Sequence, residues 1–250
     1  MAMRLLVSVA SAAEASAALA GGADVIDAKD PLAGALGPVS REVLREIHAA
    51  LAGERLVTAA LGDATDEHAI ERAAREFAAA GAGLVKVGFA RIASAERVAR
   101  LIAAAVRGAT AGNDGHGGVV AVAYADGDRA LNLAPTALVE VAARVGARGV
   151  LLDTADKNGP GLRGLVAHDA LVAWVGEAHE AGLFVALAGK LTAGDIPFVR
   201  DAGADIAGVR GAACDGGRAG SVSADKVRLL RAACDSLRRG SVRSAYKGGP

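Results

Sequence analysis

One phrase recurs four times in this chain of 250 residues and limits its fold more than any other feature: a helical stretch closes on Gly-Ala, then a short apolar run ends on a polar residue. The copies are Gly22-Ala-Asp-Val-Ile-Asp27, Gly81-Ala-Gly-Leu-Val-Lys86, Gly146-Ala-Arg-Gly-Val-Leu-Leu-Asp153 and Gly203-Ala-Asp-Ile-Ala-Gly-Val-Arg210. Glycine after a helix supplies the left-handed cap, and a short aliphatic run after it reads as a strand buried on both faces. The copies lie roughly sixty residues apart, the length of two strand–helix units. Four more strands are expected between them, at Leu5–Val9, Leu56–Ala60, Val119–Ala123 and Phe184–Ala188. Helices are expected over Ala12–Ala20, Arg41–Leu51, Asp66–Ala80, Ser94–Arg107, Pro135–Val145, Asp169–Ala181, Ala193–Asp201 and Ala224–Leu237. Such alternation is the pattern of a parallel sheet with crossover helices. Eight units favour closure into a single-domain α/β fold, a (β/α)8 TIM barrel over residues 1–239, with an open doubly wound sheet as the alternative. Ala109–Gly117 reads as a loop and residues 240–250 as a polar tail.

Composition narrows the function classes. Apolar residues make up 52% of the chain and aromatics 3%, so the core has to be built from Ala, Val, Leu and Ile. Lys plus Arg balances Asp plus Glu at 28 each, which leaves no overall field to recruit nucleic acid or an anionic membrane. Cys214 and Cys234 sit in no metal-ligand spacing, and the N-terminal residues show no signal-peptide core, so a reducing cytoplasm is the expected address. No run approaches the ~18 apolar residues of a spanning helix. His48, His68, His116, His168 and His179 are expected at the surface, and no G-x-G-x-x-G, P-loop or G-x-S-x-G is present. Self-association is expected from the Ala-rich helix faces.

Barrel enzymes carry their chemistry at the C-terminal ends of the strands. The polar residues there are Asp27 and Lys29 on strand two, Lys86 on strand four, Asp153 with Lys157 beyond strand six, and Arg210 at strand eight. Lys86 interrupts Leu84-Val85-Lys86-Val87-Gly88, where an aliphatic is the usual occupant. Burial there disfavours the ammonium and can lower its pKa by ~3–5 units, giving a nucleophile or base, whereas a snorkelling or ion-paired lysine is the plainer reading. Asp27 and Lys29 are two residues apart and so share one face of an extended strand. Asp156 reads equally well as a solvated loop charge, as does the segment Tyr124-Ala-Asp126-Gly-Asp128-Arg129. Three lysines and an arginine around one mouth favour an anionic substrate. Gly189 and Lys190 after strand seven, and Gly208, Arg210, Gly211 and Ala212 at strand eight, stand where barrels cradle phosphate.

At these residues the chain resembles the 4-(hydroxymethyl)-2-furancarboxaldehyde-phosphate synthases of methanofuran biosynthesis, also called (5-formylfuran-3-yl)methyl phosphate synthases. The resemblance covers nearly the whole chain. It is carried by Gly21-Gly-Ala-Asp-Val-Ile-Asp-Ala-Lys-Asp-Pro31 with Gly34-Ala-Leu-Gly37, by Val85-Lys-Val-Gly88, and by Leu152-Asp-Thr-Ala155 with Lys157. Ala186-Leu-Ala-Gly189 and Gly208-Val-Arg-Gly-Ala-Ala-Cys214 complete it. The resemblance implies that two molecules of glyceraldehyde 3-phosphate are joined and dehydrated, with loss of one phosphate. It implies Lys29 as the Schiff-base lysine and Lys86 as the proton-transferring one, with Asp27, Asp153 and Lys157 as the other charged site residues. The residues alone favour Lys86 as nucleophile, because its strand is the more apolar. Position 190 departs from the family pattern, so a phosphate role for Lys190 rests on its place after strand seven.

An iminium lets an adjacent C–H be removed, and the resulting enamine can attack a second aldehyde. Repeated proton transfers then need an acid and a base, with Lys157 or Arg210 stabilising the departing phosphate. No metal and no organic cofactor are expected. A class I aldolase acting on another phosphorylated aldehyde or ketone is the nearest alternative. A phosphosugar isomerase and a non-catalytic phosphometabolite-binding barrel are further ones.

Overall fold

Helix starts are written into this chain one residue at a time. Ser11, Ser40, Asp66 and Ser94 each accept a hydrogen bond from the backbone N–H three residues on, satisfying a donor that the first helical turn leaves free. The helices that follow are α1 (Ala12–Ala20), α2 (Arg41–Leu51), α3 (Glu67–Ala79) and α4 (Ala95–Gly112). Then come α5 (Pro135–Arg144), α6 (Leu162–Leu165), α7 (His168–Glu180), α8 (Ile196–Asp201) and α9 (Ala224–Asp235). The recurrent Gly-Ala joints behave as read, with Gly22 at φ +87° and Gly81 at φ +111°, conformations that Cβ-bearing residues avoid.

In the computed structural model, which describes residues 2–128 and 130–235, eight parallel strands close into a barrel. They are β1 (Arg4–Val9), β2 (Val25–Ala28), β3 (Leu56–Asp63), β4 (Leu84–Gly88), β5 (Gly118–Tyr124), β6 (Gly149–Asp153), β7 (Phe184–Leu187) and β8 (Ile206–Val209). β8 returns to pair with β1, so the sheet is a TIM barrel and not an open one. The expected tail at 240–250 and Arg129 lie outside the described residues.

Strand alternation divides the core in two. Outward residues such as Leu5, Val7, Ile26 and Val85 pack with helix residues including Leu44, Ile47 and Leu101. Leu6, Val25, Val120, Leu151, Ala186 and Ile206 fill the lumen. Each fully buried aliphatic of this size contributes about 1.5–3 kcal/mol. Register then fixes the site, because Ser8 pairs with Asp27 and Asp27 with Thr58, placing three inward polar side chains on adjacent strands.

The structure departs from the sequence reading in several places, among them the short helix α6, which was not expected. β3 runs on to Asp63, with a register shift between Ala60 and Asp63. α4 continues to Gly112, so the loop expected from Ala109 begins at Asn113. The segment Ala193–Asp201 splits into a 3-10 turn and α8, with a proline in the first turn of α8. Beyond β8 a two-stranded hairpin, β9 (Cys214–Asp215) with β10 (Ser221–Val222), was not expected at all.

Gly108 and Gly112 explain the length of α4. A Cβ on Gly108 would meet the Glu71 carbonyl oxygen at 2.0 Å, and one on Gly112 would meet that of Arg75 at 2.2 Å. Two glycines that look like helix breakers are thus what lets α4 lie directly on α3. In a free helix Gly→Ala stabilises by about 1 kcal/mol, but an overpacked contact costs about 1–3 kcal/mol. Gly108→Ala is therefore expected to lower the urea unfolding midpoint. Gly176→Ala in α7, where a new Cβ meets nothing within 4 Å, is expected to raise it.

Candidate active site

Asp27 is the fixed point of the mouth. It is fully buried, and its carboxylate accepts hydrogen bonds from Ser8 Oγ (2.8 Å), Thr58 Oγ1 (2.7 Å) and Lys86 Nζ (2.5 Å). Two of these donors come from the strands on either side of β2, so barrel register builds the cradle. Lys86, 4% exposed, lies between this carboxylate and the cavity, and Asp27 does not itself line the cavity.

A second pair stands at β6. Lys157 Nζ donates to Asp153 Oδ1 (2.8 Å), to Thr154 Oγ1 (3.2 Å) and to the Thr154 carbonyl. Burial pushes the Asp153 carboxyl up. The charges of Lys29 and Lys157, with hydrogen bonds from Lys157 and the Thr154 N–H, outweigh this and hold it below the usual carboxylate range. The loop that carries Lys157 is itself held by Asp126, whose carboxylate accepts from the N–H groups of Ala155 (2.7 Å) and Asp156 (2.8 Å). Sequence reading left Asp126 and Asp156 as possible solvated charges, since nothing in a single strand–loop unit tells which neighbouring loop an aspartate will cap.

Lys29 is the odd member. It is the first residue past β2, anchored by its N–H on the Val9 carbonyl, and is 5% exposed. Among the described residues its amine makes no hydrogen bond or ion pair. Burial pulls its pKa down to about 7, with Asp153 and Asp27 opposing and Lys86 and Lys157 reinforcing the shift. Lys86, favoured as nucleophile from the residues alone, is instead ion-paired.

A cavity of about 1300 Å³ reaches from these groups through the lumen to the opposite end of the barrel. Lys29, Lys86, Asp153 and Lys157 line it, as do Gly189, Lys190, Gly208, Arg210, Gly211 and Ala212 of the expected phosphate cradle. Lys190, at φ +57°, places Nζ on the Gly159 carbonyl (2.5 Å), with no carboxylate paired to it among the described residues. Gly189 sits at φ +103°, a conformation that side-chain-bearing residues rarely adopt, and a Cβ there would lie 3.0 Å from Thr154 Cγ2.

Arg210 departs from its expected role. Its Nε donates to the Arg218 carbonyl (3.1 Å), Nη1 to the Ser8 carbonyl (3.1 Å) and to Glu14 (2.5 Å), and Nη2 to Glu14 (3.0 Å) and the Gly220 carbonyl (2.9 Å). A guanidinium has five N–H donors. All are engaged, and Glu14 neutralises the charge, so Arg210 has nothing to offer a phosphate and acts as an internal strut.

Fold and site together define a TIM-barrel enzyme whose charged groups converge at the C-terminal mouth. A structure of KGPDC from Streptococcus mutans shares the fold, with a TM-score of 0.66 at 16% identity over 94% of this chain and 98% of that one. Residues 5–231 match the profile of the family described as 4-HFC-P synthase, and the chain belongs to that family. The (5-formylfuran-3-yl)methyl phosphate synthase of Methanopyrus kandleri is 39% identical over 231 residues, covering 91% of this chain and 97% of that relative. The protein of the same name from Methanocaldococcus jannaschii is 38% identical over 216 residues, covering 86% and 92%.

The depressed Lys29 pKa makes a stability prediction. Unfolded, this lysine has the ordinary value of 10.5, so between about pH 7 and 10.5 the unfolded chain binds the additional proton. The cost of burying Lys29 is therefore full below pH 7 and shrinks by about 1.4 kcal/mol per pH unit above it. Lys29→Met is expected to be more stable than the parent at pH 6–7, with the difference closing as pH rises towards 10. Denaturant unfolding across that range checks both sign and slope.

Proposed function

We propose that this chain condenses two molecules of glyceraldehyde 3-phosphate into 4-(hydroxymethyl)-2-furancarboxaldehyde phosphate, with Lys29 as the imine-forming nucleophile. The shared name of the relatives supports the product. The observation that carries the mechanism is a buried, unpartnered amine set between two lysine–aspartate pairs. A lysine that titrates near neutrality supplies free amine without unfolding its surroundings. Among the described residues no helix is long and apolar enough to cross a membrane, and the buried, unlinked thiols of Cys214 and Cys234 suit a reducing compartment.

In this reading Lys29 Nζ attacks the aldehyde carbon of one triose phosphate, and water leaves as the iminium forms. Loss of the proton on the adjacent carbon gives an enamine, which expels phosphate from the third carbon. The resulting unsaturated iminium accepts, at its terminal carbon, the second carbon of the other triose in its enediol form. The product skeleton supports this order over direct attack of the enamine on the second aldehyde, because its formyl carbon and the two ring carbons next to it then derive from one triose. The enol oxygen closes on the remaining aldehyde, two waters leave, and hydrolysis frees Lys29. Two triose phosphates thus yield one furan phosphate, one phosphate and two waters, with no external oxidant or reductant.

Lys86, seated on Asp27, faces the cavity beside Lys29 and is suited to carry the protons of these steps. Lys157 and Lys190 are cations on the cavity wall that can meet the departing phosphate.

Incubation with glyceraldehyde 3-phosphate and borohydride, followed by peptide mass spectrometry, is expected to place the adduct on Lys29, with furan absorbance rising in an unreduced sample. Lys29→Ala is expected to lose both signals. Lys86→Ala is expected to keep the adduct while turnover falls by about 10²–10⁴-fold. An adduct on Lys86 would reverse the two lysine roles. Adduct without furan would indicate an aldolase with another acceptor, and neither signal would indicate a binding barrel.

A further inference from the structure

Arg210 has no donor left for a ligand, yet it is buried at considerable cost in a chain with other uses for a cation at this mouth. What it holds explains its presence. Two of its five donors end on the carbonyls of Arg218 and Gly220, the residues that lead into β10. Glu14, from the first turn of α1, fixes the guanidinium with two contacts, and its Oε2 also accepts from the Ala10 N–H at 2.7 Å. The Glu14–Arg210 pair is thus a rigid post, and the tip of the β9–β10 hairpin is pinned to it by its backbone.

The side chain delivered by that tip is Arg218. It lines the same cavity as Lys29, Lys86 and Lys157, and it is partly exposed. Among the described residues its side chain makes one hydrogen bond, from Nη2 to the Gly34 carbonyl (2.8 Å), in the loop that follows Lys29. No carboxylate pairs with it among the described residues. A guanidinium held by its backbone, in no ion pair although the charges of Asp153 and Asp30 reach it, and facing a cavity, keeps most of its donors for an anion that arrives there.

We propose that Arg218 is the residue that grips a substrate phosphate, and that Glu14 and Arg210 serve to position it. The inference deepens the triose-phosphate reading above and rests on it for the identity of the ligand. It separates two arginines that sequence position alone would rank the other way, since Arg210 ends a barrel strand and Arg218 lies in a loop. The planar fork matches two phosphate oxygens at once. Its bond to the Gly34 carbonyl ties the hairpin to the loop after β2, so phosphate bound at Arg218 lies on the side of the mouth that carries Lys29.

Arg218→Gln keeps a donor for the Gly34 carbonyl and removes the charge, which separates phosphate binding from loop clasping. The first measurement is inorganic phosphate binding by calorimetry to the parent and to this variant. Affinity is expected to fall about 10- to 100-fold. The second is borohydride trapping with glyceraldehyde 3-phosphate against unphosphorylated glyceraldehyde, in which the preference for the phosphorylated aldehyde is expected to fall by a similar factor. In turnover, KM should rise far more than kcat drops, and Arg218→Lys should recover part of the loss. Unchanged phosphate affinity and an unchanged preference would overturn the proposal, as would equal losses with both aldehydes, which mark a merely structural arginine. A parent protein that binds phosphate through Arg218 but forms no furan would leave this inference standing and remove the synthase reading instead.

Discussion

Three lysines share two carboxylates inside the mouth of this barrel, and the rest of the site follows from that shortage. Asp27 takes Lys86 and Asp153 takes Lys157, each at hydrogen-bonding distance, which leaves Lys29 buried without a partner. An unpaired ammonium in such surroundings is expensive, and the least costly response is to release its proton. The same arrangement that destabilises the fold is, in the proposed function, what prepares an amine for attack on a carbonyl. Neither pair is incidental, since each removes a carboxylate that would otherwise keep Lys29 charged.

The barrel supplies the geometry for this imbalance. β2 brings Asp27 and Lys29 to the mouth, while its neighbours β1 and β3 bring Ser8 and Thr58 to complete the shell of Asp27. β4 presents Lys86 one strand further on, and β6 presents Asp153 from across the lumen. Small lumen residues such as Ala60, Ala186 and Gly208 leave room for the cavity that connects them. Substrate chemistry is thus placed by strand register and closed sheet topology, which tolerate little drift. Under the proposed function phosphate recognition falls to loops, where Lys190 and the hairpin bearing Arg218 line the same cavity.

Much of this was legible in the sequence, for physical reasons. Gly-Ala joints followed by aliphatic runs encode helix caps and buried strands, and both signals are local, so the eight strands and the barrel could be read directly. Charged residues that end an apolar strand have few places to point, which is why Lys29, Lys86, Asp27, Asp153 and Lys157, read from the sequence as one group, stand together at the mouth. Pairing was not legible. Which lysine is left over depends on distances across the lumen, and the apolar setting of Lys86 does not show that Asp27 takes it while Lys29 stays unpaired. Arg210 misled in the same way, because a strand-end arginine looks available until Glu14, distant in sequence, is seen to occupy it. Gly112 misled in the opposite direction, reading as part of a loop when close packing of α3 on α4 requires it.

Competitive labelling of the protein with an acylating reagent across pH 5–10, read lysine by lysine by peptide mass spectrometry, tests the central claim most directly. The account predicts that Lys29 gains reactivity with a midpoint near pH 7, ahead of the ion-paired Lys86 and Lys157. Titration of Lys29 near its ordinary value, or earlier reaction at Lys86, would contradict it.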